Sequence, residues 1–165
     1  MADTILGPNG EQSARVRQFT EAVVRGVFPK DYLGEILAIR NVFVQFSPRL
    51  PGVPLIRYTN DPTHVELIKT PDRMIREINE HGSCLCDCDE SAILAATMCL
   101  QVGRAVTLVA MGFAPNSLSH VAMVATEPKS GVPVLLDGVA GPREAEAVRM
   151  AKSKRLYIIR TKSLA

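Results

Sequence analysis

The stretch that decides the fold is Gly82-Ser-Cys-Leu-Cys-Asp-Cys-Asp-Glu-Ser91, followed without a break by the apolar Ala-Ile-Leu-Ala-Ala-Thr-Met-Cys-Leu-Gln101. The second half reads as a buried helix over Ser91–Gln101, because it carries almost no polar side chain on any face. Cys88 then falls at or just before the first helical turn. Unpaired amides and the positive end of the helix dipole favour a thiolate there, the state in which cysteine attacks a carbonyl. Asp87, Asp89 and Glu90 read as capping residues that complement the dipole. Their negative charges oppose a thiolate, so a cationic partner for Cys88 is needed.

Working outward, a nucleophilic cysteine requires a base and a group that orients the base. His120 opens His-Val-Ala-Met-Val-Ala125, and Asp137 closes Val132-Pro-Val-Leu-Leu-Asp137. Both runs are aliphatic and β-branched, bounded by turn residues, which predicts strands. A hairpin around Pro128-Lys-Ser-Gly131 would bring His120 and Asp137 to one end of a sheet. The order Cys88, His120, Asp137 is that of a nucleophile, its base and the base's anchor.

At these residues the chain resembles the transglutaminase-like superfamily, relatives of papain-type cysteine peptidases, and in particular the small transglutaminase-like proteins of tailed bacteriophages. The matching stretches are Cys86-Asp-Cys-Asp-Glu-Ser-Ala-Ile-Leu-Ala-Ala96, Gly103-Arg-Ala-Val-Thr-Leu-Val109, Ser119-His-Val121 and Leu135-Leu-Asp137. The resemblance implies an α+β fold with helices packed on an antiparallel sheet. It further implies cysteine-dependent acyl transfer or amide hydrolysis on a protein or peptide substrate by Cys88, His120 and Asp137. The backbone amide of Cys88 would be one oxyanion donor, and Gln45 is a candidate for the second. Water as acceptor makes a peptidase or amidase, and an amine makes a cross-linking transglutaminase. The alternative is a non-catalytic virion or tail subunit built on the same fold, with other virion proteins as partners.

Other cysteine chemistry is weaker. His81, Cys84, Cys86 and Cys88 spell a metal-like run, but single-residue gaps do not build the paired knuckles of structural zinc. No metal or cofactor is called for. The two-residue spacing of a thioredoxin-like pair is also absent. Cys99, inside the apolar helix, reads as core packing. His64, in Asn60-Asp-Pro-Thr-His64, and His81, beside Gly82, read as exposed or capping side chains.

The rest of the chain supplies a scaffold. Apolar positions between Glu11 and Phe28 predict a first helix ended by Pro29, while Tyr32–Phe46 mixes helical and strand signals. Ser47-Pro-Arg-Leu-Pro-Gly-Val-Pro54 is a connection, dividing an N-terminal helical arm, residues 1–54, from a core over 55–165 that packs with it as one unit. Thr70 and Pro71 cap a helix through Asn79. After Gly103, strands are expected at Ala105–Met111, His120–Ala125, Val132–Asp137 and Arg155–Arg160.

A chain of 165 residues, 47% hydrophobic and with net charge +2, suits a soluble globular domain without a strong nucleic-acid field. Such a chain buries about 70% of its unfolded surface and needs no disulfide staples. The basic run Arg149–Arg155 reads as a solvated face. No secretory pattern opens the chain, and no apolar run reaches the about 20 residues of a membrane span. Cytoplasmic synthesis is the expectation, and incorporation into a virion would leave no mark.

Overall fold

The computed structural model describes residues 2–61, 68–112, 120–138 and 157–164. At its centre is α5 (Cys88–Gln101), in which every residue from Asp89 to Cys99 is buried. The helix is nearly apolar all round, and it is covered all round. Its one mid-helix hydroxyl, Thr97, is satisfied internally by donating to Ile93 O at 2.8 Å.

On one side α5 packs against α1 (Ala2–Leu6), α2 (Ala14–Val24), α3 (Tyr32–Val44) and α4 (Pro71–His81). The segment with mixed signals, Tyr32–Phe46, is therefore helical up to Val44. Asp31 caps it by accepting from Gly34 N at 2.9 Å, and Ile36, Ile39, Val42 and Phe43 are its buried residues. That spacing is helical, so the β-branched residues near its end stay in the helix. The first helix is shorter than Glu11–Phe28: Ser13 caps it, and it stops at Val24, ahead of Pro29. Helix α4 begins as its caps require, with Thr70 accepting from Arg73 N and Gly82 closing it at φ +79, in the left-handed region that glycine tolerates best.

On the other side lies a four-stranded antiparallel sheet in the order β5-β4-β3-β6, made of β3 (Val106–Gly112), β4 (His120–Thr126), β5 (Pro133–Leu136) and β6 (Tyr157–Leu164). The last strand runs four residues beyond the expected Arg160. Ile36, Ile39 and Phe43 from the N-terminal helices, Ile93 and Leu94 from α5, and Met123 and Leu136 from the sheet form one buried cluster. The protein is thus a mixed helix-and-sheet chain.

Two elements have no counterpart in the sequence reading beside α1. Strands β1 (Ile56–Tyr58) and β2 (Cys84–Cys86) form a separate parallel pair, with Ile56 opposite Cys84 and Tyr58 opposite Cys86. The proline-rich connection closes on itself through a bridge between Phe46 and Pro54, and Ser47 Oγ accepts from the amides of Arg49 and Leu50, each at 3.2 Å. His64, Ser119 and the basic run Arg149–Arg155 lie outside the described residues. None of the described helices is long and apolar enough to cross a membrane.

Candidate active site

Cys88 is the first residue of α5, three positions earlier than the Ser91 start expected from the apolar run. The cause is a capping box. Asp87 Oδ1 accepts from Glu90 N at 3.1 Å, and Glu90 Oε2 accepts from Asp87 N at 3.2 Å. Asp87 O also accepts from Ser91 Oγ at 2.7 Å. The turn is therefore rigid on both sides of the cysteine. The Cys88 amide sits at the first helical position, where no intrahelical carbonyl reaches it.

The β4–β5 hairpin supplies the other two residues. Met123 pairs with Leu136 and Thr126 with Pro133, and the connecting turn is held by Glu127, which accepts from Lys129 N and Ser130 N. One step beyond the last pair, Asp137 falls diagonal to His120 on the same face, within reach of a long side chain. His120 Nε2 lies 2.9 Å from Asp137 Oδ2, with both side chains mostly buried. Cys88 is near enough to the same imidazole to help raise its pKa. With Nε2 committed to Asp137, Nδ1 is the nitrogen left for the thiol.

Gly138 makes this approach possible. A methyl built there would fall on Ser91 Cβ, 2.6 Å from Ser91 Oγ and 3.1 Å from Phe43 Cδ1. Only a residue without a side chain lets the end of β5 run this close to α5, and that closeness is what carries Asp137 to the helix start.

The charges follow from burial and neighbours. Burial alone would lower the His120 pKa, but hydrogen bonds to Asp137 and Cys88 and their negative charges outweigh it and lift it to about 9. The imidazole is thus held as imidazolium at neutral pH. Asp89 is buried and its Oδ2 has no hydrogen-bond partner among the described residues. Burial, with Asp87 beside it, raises its pKa to about 7. Glu90 is also raised by burial, partly offset by amides: besides Asp87 N it accepts from Lys69 N at 2.7 Å. Lys69 Nζ continues the network to Glu77 Oε2 at 3.2 Å, to which Cys84 Sγ also donates at 3.2 Å.

The remaining cysteines are spent elsewhere. Burial pushes Cys86 and Cys99 up to about 12 and Cys84 higher still, so all three stay thiols. Cys86 Sγ lies 3.1 Å from Ser91 Oγ. Of the four free cysteines Cys88 alone is not buried. His81 is exposed beside Glu80. No group of three or more histidine, cysteine or acidic side chains among the described residues is arranged to hold a metal.

Gln45 lines an open groove with Phe19, Val23, Arg49 and Ile78, among which no residue of the Cys88 turn or the β4–β5 hairpin appears. Tyr58, which the sequence does not single out, has its pKa raised by burial and then by the charges of Cys88 and Asp87. Its only signal is a short aliphatic and aromatic run, Leu55-Ile-Arg-Tyr58, directly after Pro54.

The arrangement of a buried central helix beside an antiparallel sheet has a counterpart of similar fold among solved structures. The chain is similar to the crystal structure of a putative cysteine protease from Cytophaga hutchinsonii, with a TM-score of 0.53 and 12% sequence identity, over 99% of this chain and 53% of that one. It therefore spans about half the length of that protein, and the likeness is one of fold. No protein-family model and no curated protein matches the sequence.

Proposed function

We propose that the protein is a cysteine-dependent acyl transferase or amide hydrolase of the transglutaminase-like type, acting on a protein or peptide substrate. Cys88 is the nucleophile, His120 the acid and base, and Asp137 the orienting carboxylate. The observation that carries this reading is the 2.9 Å contact of His120 Nε2 with Asp137, made by an imidazole whose pKa is raised further by Cys88 at the start of α5.

The Cys88 thiolate adds to the carbonyl carbon as the C=O electron pair moves onto oxygen. Collapse restores the carbonyl and expels the amine, which leaves with the C–N electron pair and takes a proton from His120 Nδ1. The product is a thioester on Cys88. An acceptor, water or an amine, gives its proton to the now neutral His120 and attacks the thioester. The new acyl bond forms as the C–S bond breaks, and the thiolate is regenerated opposite an imidazolium. Asp137 stays ionised throughout and holds Nε2–H, so that Nδ1 always faces sulfur.

Labelling with a cysteine-directed activity probe, followed by mass-spectrometric mapping, tests this without a known substrate. Cys88 takes the label ahead of Cys84, Cys86 and Cys99, and His120→Ala slows it at neutral pH. Equal labelling of Cys88 in wild type and His120→Ala would overturn an activated thiol and return the chain to the structural-subunit class.

A further inference from the structure

We infer that Glu90 is a positioning residue for Cys88: its carboxylate clasps the nucleophile turn to the backbone entering α4 and so holds the sulfur opposite His120. This inference rests on the acyl-transfer reading above.

Two hydrogen bonds make the clasp, and helix capping explains only one of them. Glu90 Oε2 accepts from Asp87 N at 3.2 Å, the return arm of the capping box. Oε1 accepts from Lys69 N at 2.7 Å, 21 residues back in the chain. Helix α5 would be capped equally well without that second bond. Lys69 is itself anchored, since its Nζ reaches Glu77 Oε2 of α4 at 3.2 Å and the carbonyl of Leu85 in β2. Glu90 thus joins the start of α5 to the strand that leads into it and to the helix before that strand.

The chemistry is specific to a carboxylate. Glu90 is 3% exposed, and both of its partners are N–H donors. Only an ionised carboxyl offers an acceptor to each, because an amide or a protonated acid turns a donor toward one of them. A buried anion is costly to keep where an exposed side chain could cap the helix. The charged and titratable groups around it are Lys69, Asp87 and the Cys86 thiol, and of these Lys69 alone is positive.

What the clasp fixes is the direction of the chain at Cys88. Asp87 gives its amide to Glu90 and accepts from Glu90 N at 3.1 Å, which locks it in extended backbone at φ −94, ψ −164, and the next residue enters the helix. The other half of the site is referenced to the same turn, because Gly138, next to Asp137, lies against Ser91. Cys88 sits between Asp87 and Ser91. A turn released at Asp87 N therefore swings the sulfur relative to His120, and reactivity falls steeply with such misplacement.

Two substitutions separate the clasp from the charge it carries. Glu90→Gln keeps the shape, removes the charge and satisfies only one of the two amides. Glu90→Asp keeps the charge and is one methylene too short to span both. Loss of a negative charge near sulfur by itself favours the thiolate, so charge alone makes Glu90→Gln faster and leaves Glu90→Asp unchanged. The probe is iodoacetamide at pH 7, with which the Cys88 thiolate forms an S–C bond as iodide leaves, the site being mapped by mass spectrometry. Both variants alkylate Cys88 about tenfold more slowly than wild type. In both, the His120 titration, followed by NMR, falls from about 9 as the sulfur moves off. Ile93→Val, a buried truncation in the same helix, weakens the fold and moves neither quantity. A rate at or above wild type in either variant, an unmoved His120, an equal slowing in Ile93→Val, or loss of the native fold in both variants overturns the positioning role and leaves the Cys88 reading intact. A wild-type Cys88 that is not alkylated ahead of Cys99 overturns the Cys88 reading itself, and this inference with it.

Discussion

Asp137→Asn moves the His120 titration more than any other single change in the site. His120 stands at about 9 because Asp137 and Cys88 together overcome a burial that by itself depresses it. At about 1.4 kcal/mol per pH unit, the separation between the ordinary 6.5 and about 9 corresponds to about 3.5 kcal/mol of preference for the imidazolium. The asparagine keeps the shape and removes the charge, so burial again counts against the cation and the titration returns to about 6.5 or lower. The sign for stability follows directly. A histidine that binds its proton more tightly when folded contributes fully below about 6.5, and that contribution is lost as pH rises to about 9. Wild type therefore loses stability over this window, and Asp137→Asn starts lower and stays flat across it. The assay is NMR of the imidazole carbon-bound protons from pH 5 to 10, with His120 assigned by its absence in His120→Ala, alongside urea unfolding at the same pH values. A His120 that still titrates near 9 in Asp137→Asn, or a wild type whose stability does not fall across that window, would refute the reasoning.

Asp89 gives the complementary pH dependence. Its carboxyl rises from 3.8 to about 7 on folding, so its contribution is full below 3.8 and is lost as pH climbs to about 7. Asp89→Asn is accordingly more stable than wild type at pH 8 but not at pH 4, read by urea unfolding at the two values, and identical pH profiles would remove the buried-carboxyl account. Gly138→Ala drives a methyl onto Ser91 and costs about 1–3 kcal/mol by overpacking. It also lowers the His120 titration by pushing Asp137 away from the helix start, and a normal melting temperature with an unmoved His120 would show that the close approach is dispensable.

The parts of this fold legible in the sequence are those set by side chains close in the chain. Thr70, Pro71 and Gly82 bound α4 because capping is local, and the strand runs at His120 and Pro133 declare themselves by composition. The apolar run alone predicts a start of α5 at Ser91, and the Asp-x-x-Glu box formed by Asp87 and Glu90 sets it three residues earlier. The β1–β2 pair is different in kind. Each strand has three residues, too few for a periodic signal, and Ile56 meets Cys84 only because α4 folds back between them. Tyr58 is illegible in the sequence for the same reason, since it comes level with the turn after Cys86 through that ladder and through nothing near it in the chain. Gly138, likewise, is explained only by the approach of Ser91 from another element.

The acidic helix start is where local and tertiary forces meet. Three carboxyl groups within two residues of Cys88 would, if all were free and ionised, repel a thiolate more strongly than one helix end attracts it. The fold removes that repulsion in three separate ways. Glu90 spends both oxygens on the amides of Lys69 and Asp87, Asp87 spends one on Glu90 N, and Asp89 is buried so that near neutral pH much of it is uncharged. Opposite them His120 keeps its positive charge up to about 9. The balance at the sulfur is therefore set by partners that the chain brings from the β4–β5 hairpin and from the approach to α4. The acids that in sequence argued against a thiolate become the clamps that hold the cysteine turn in place.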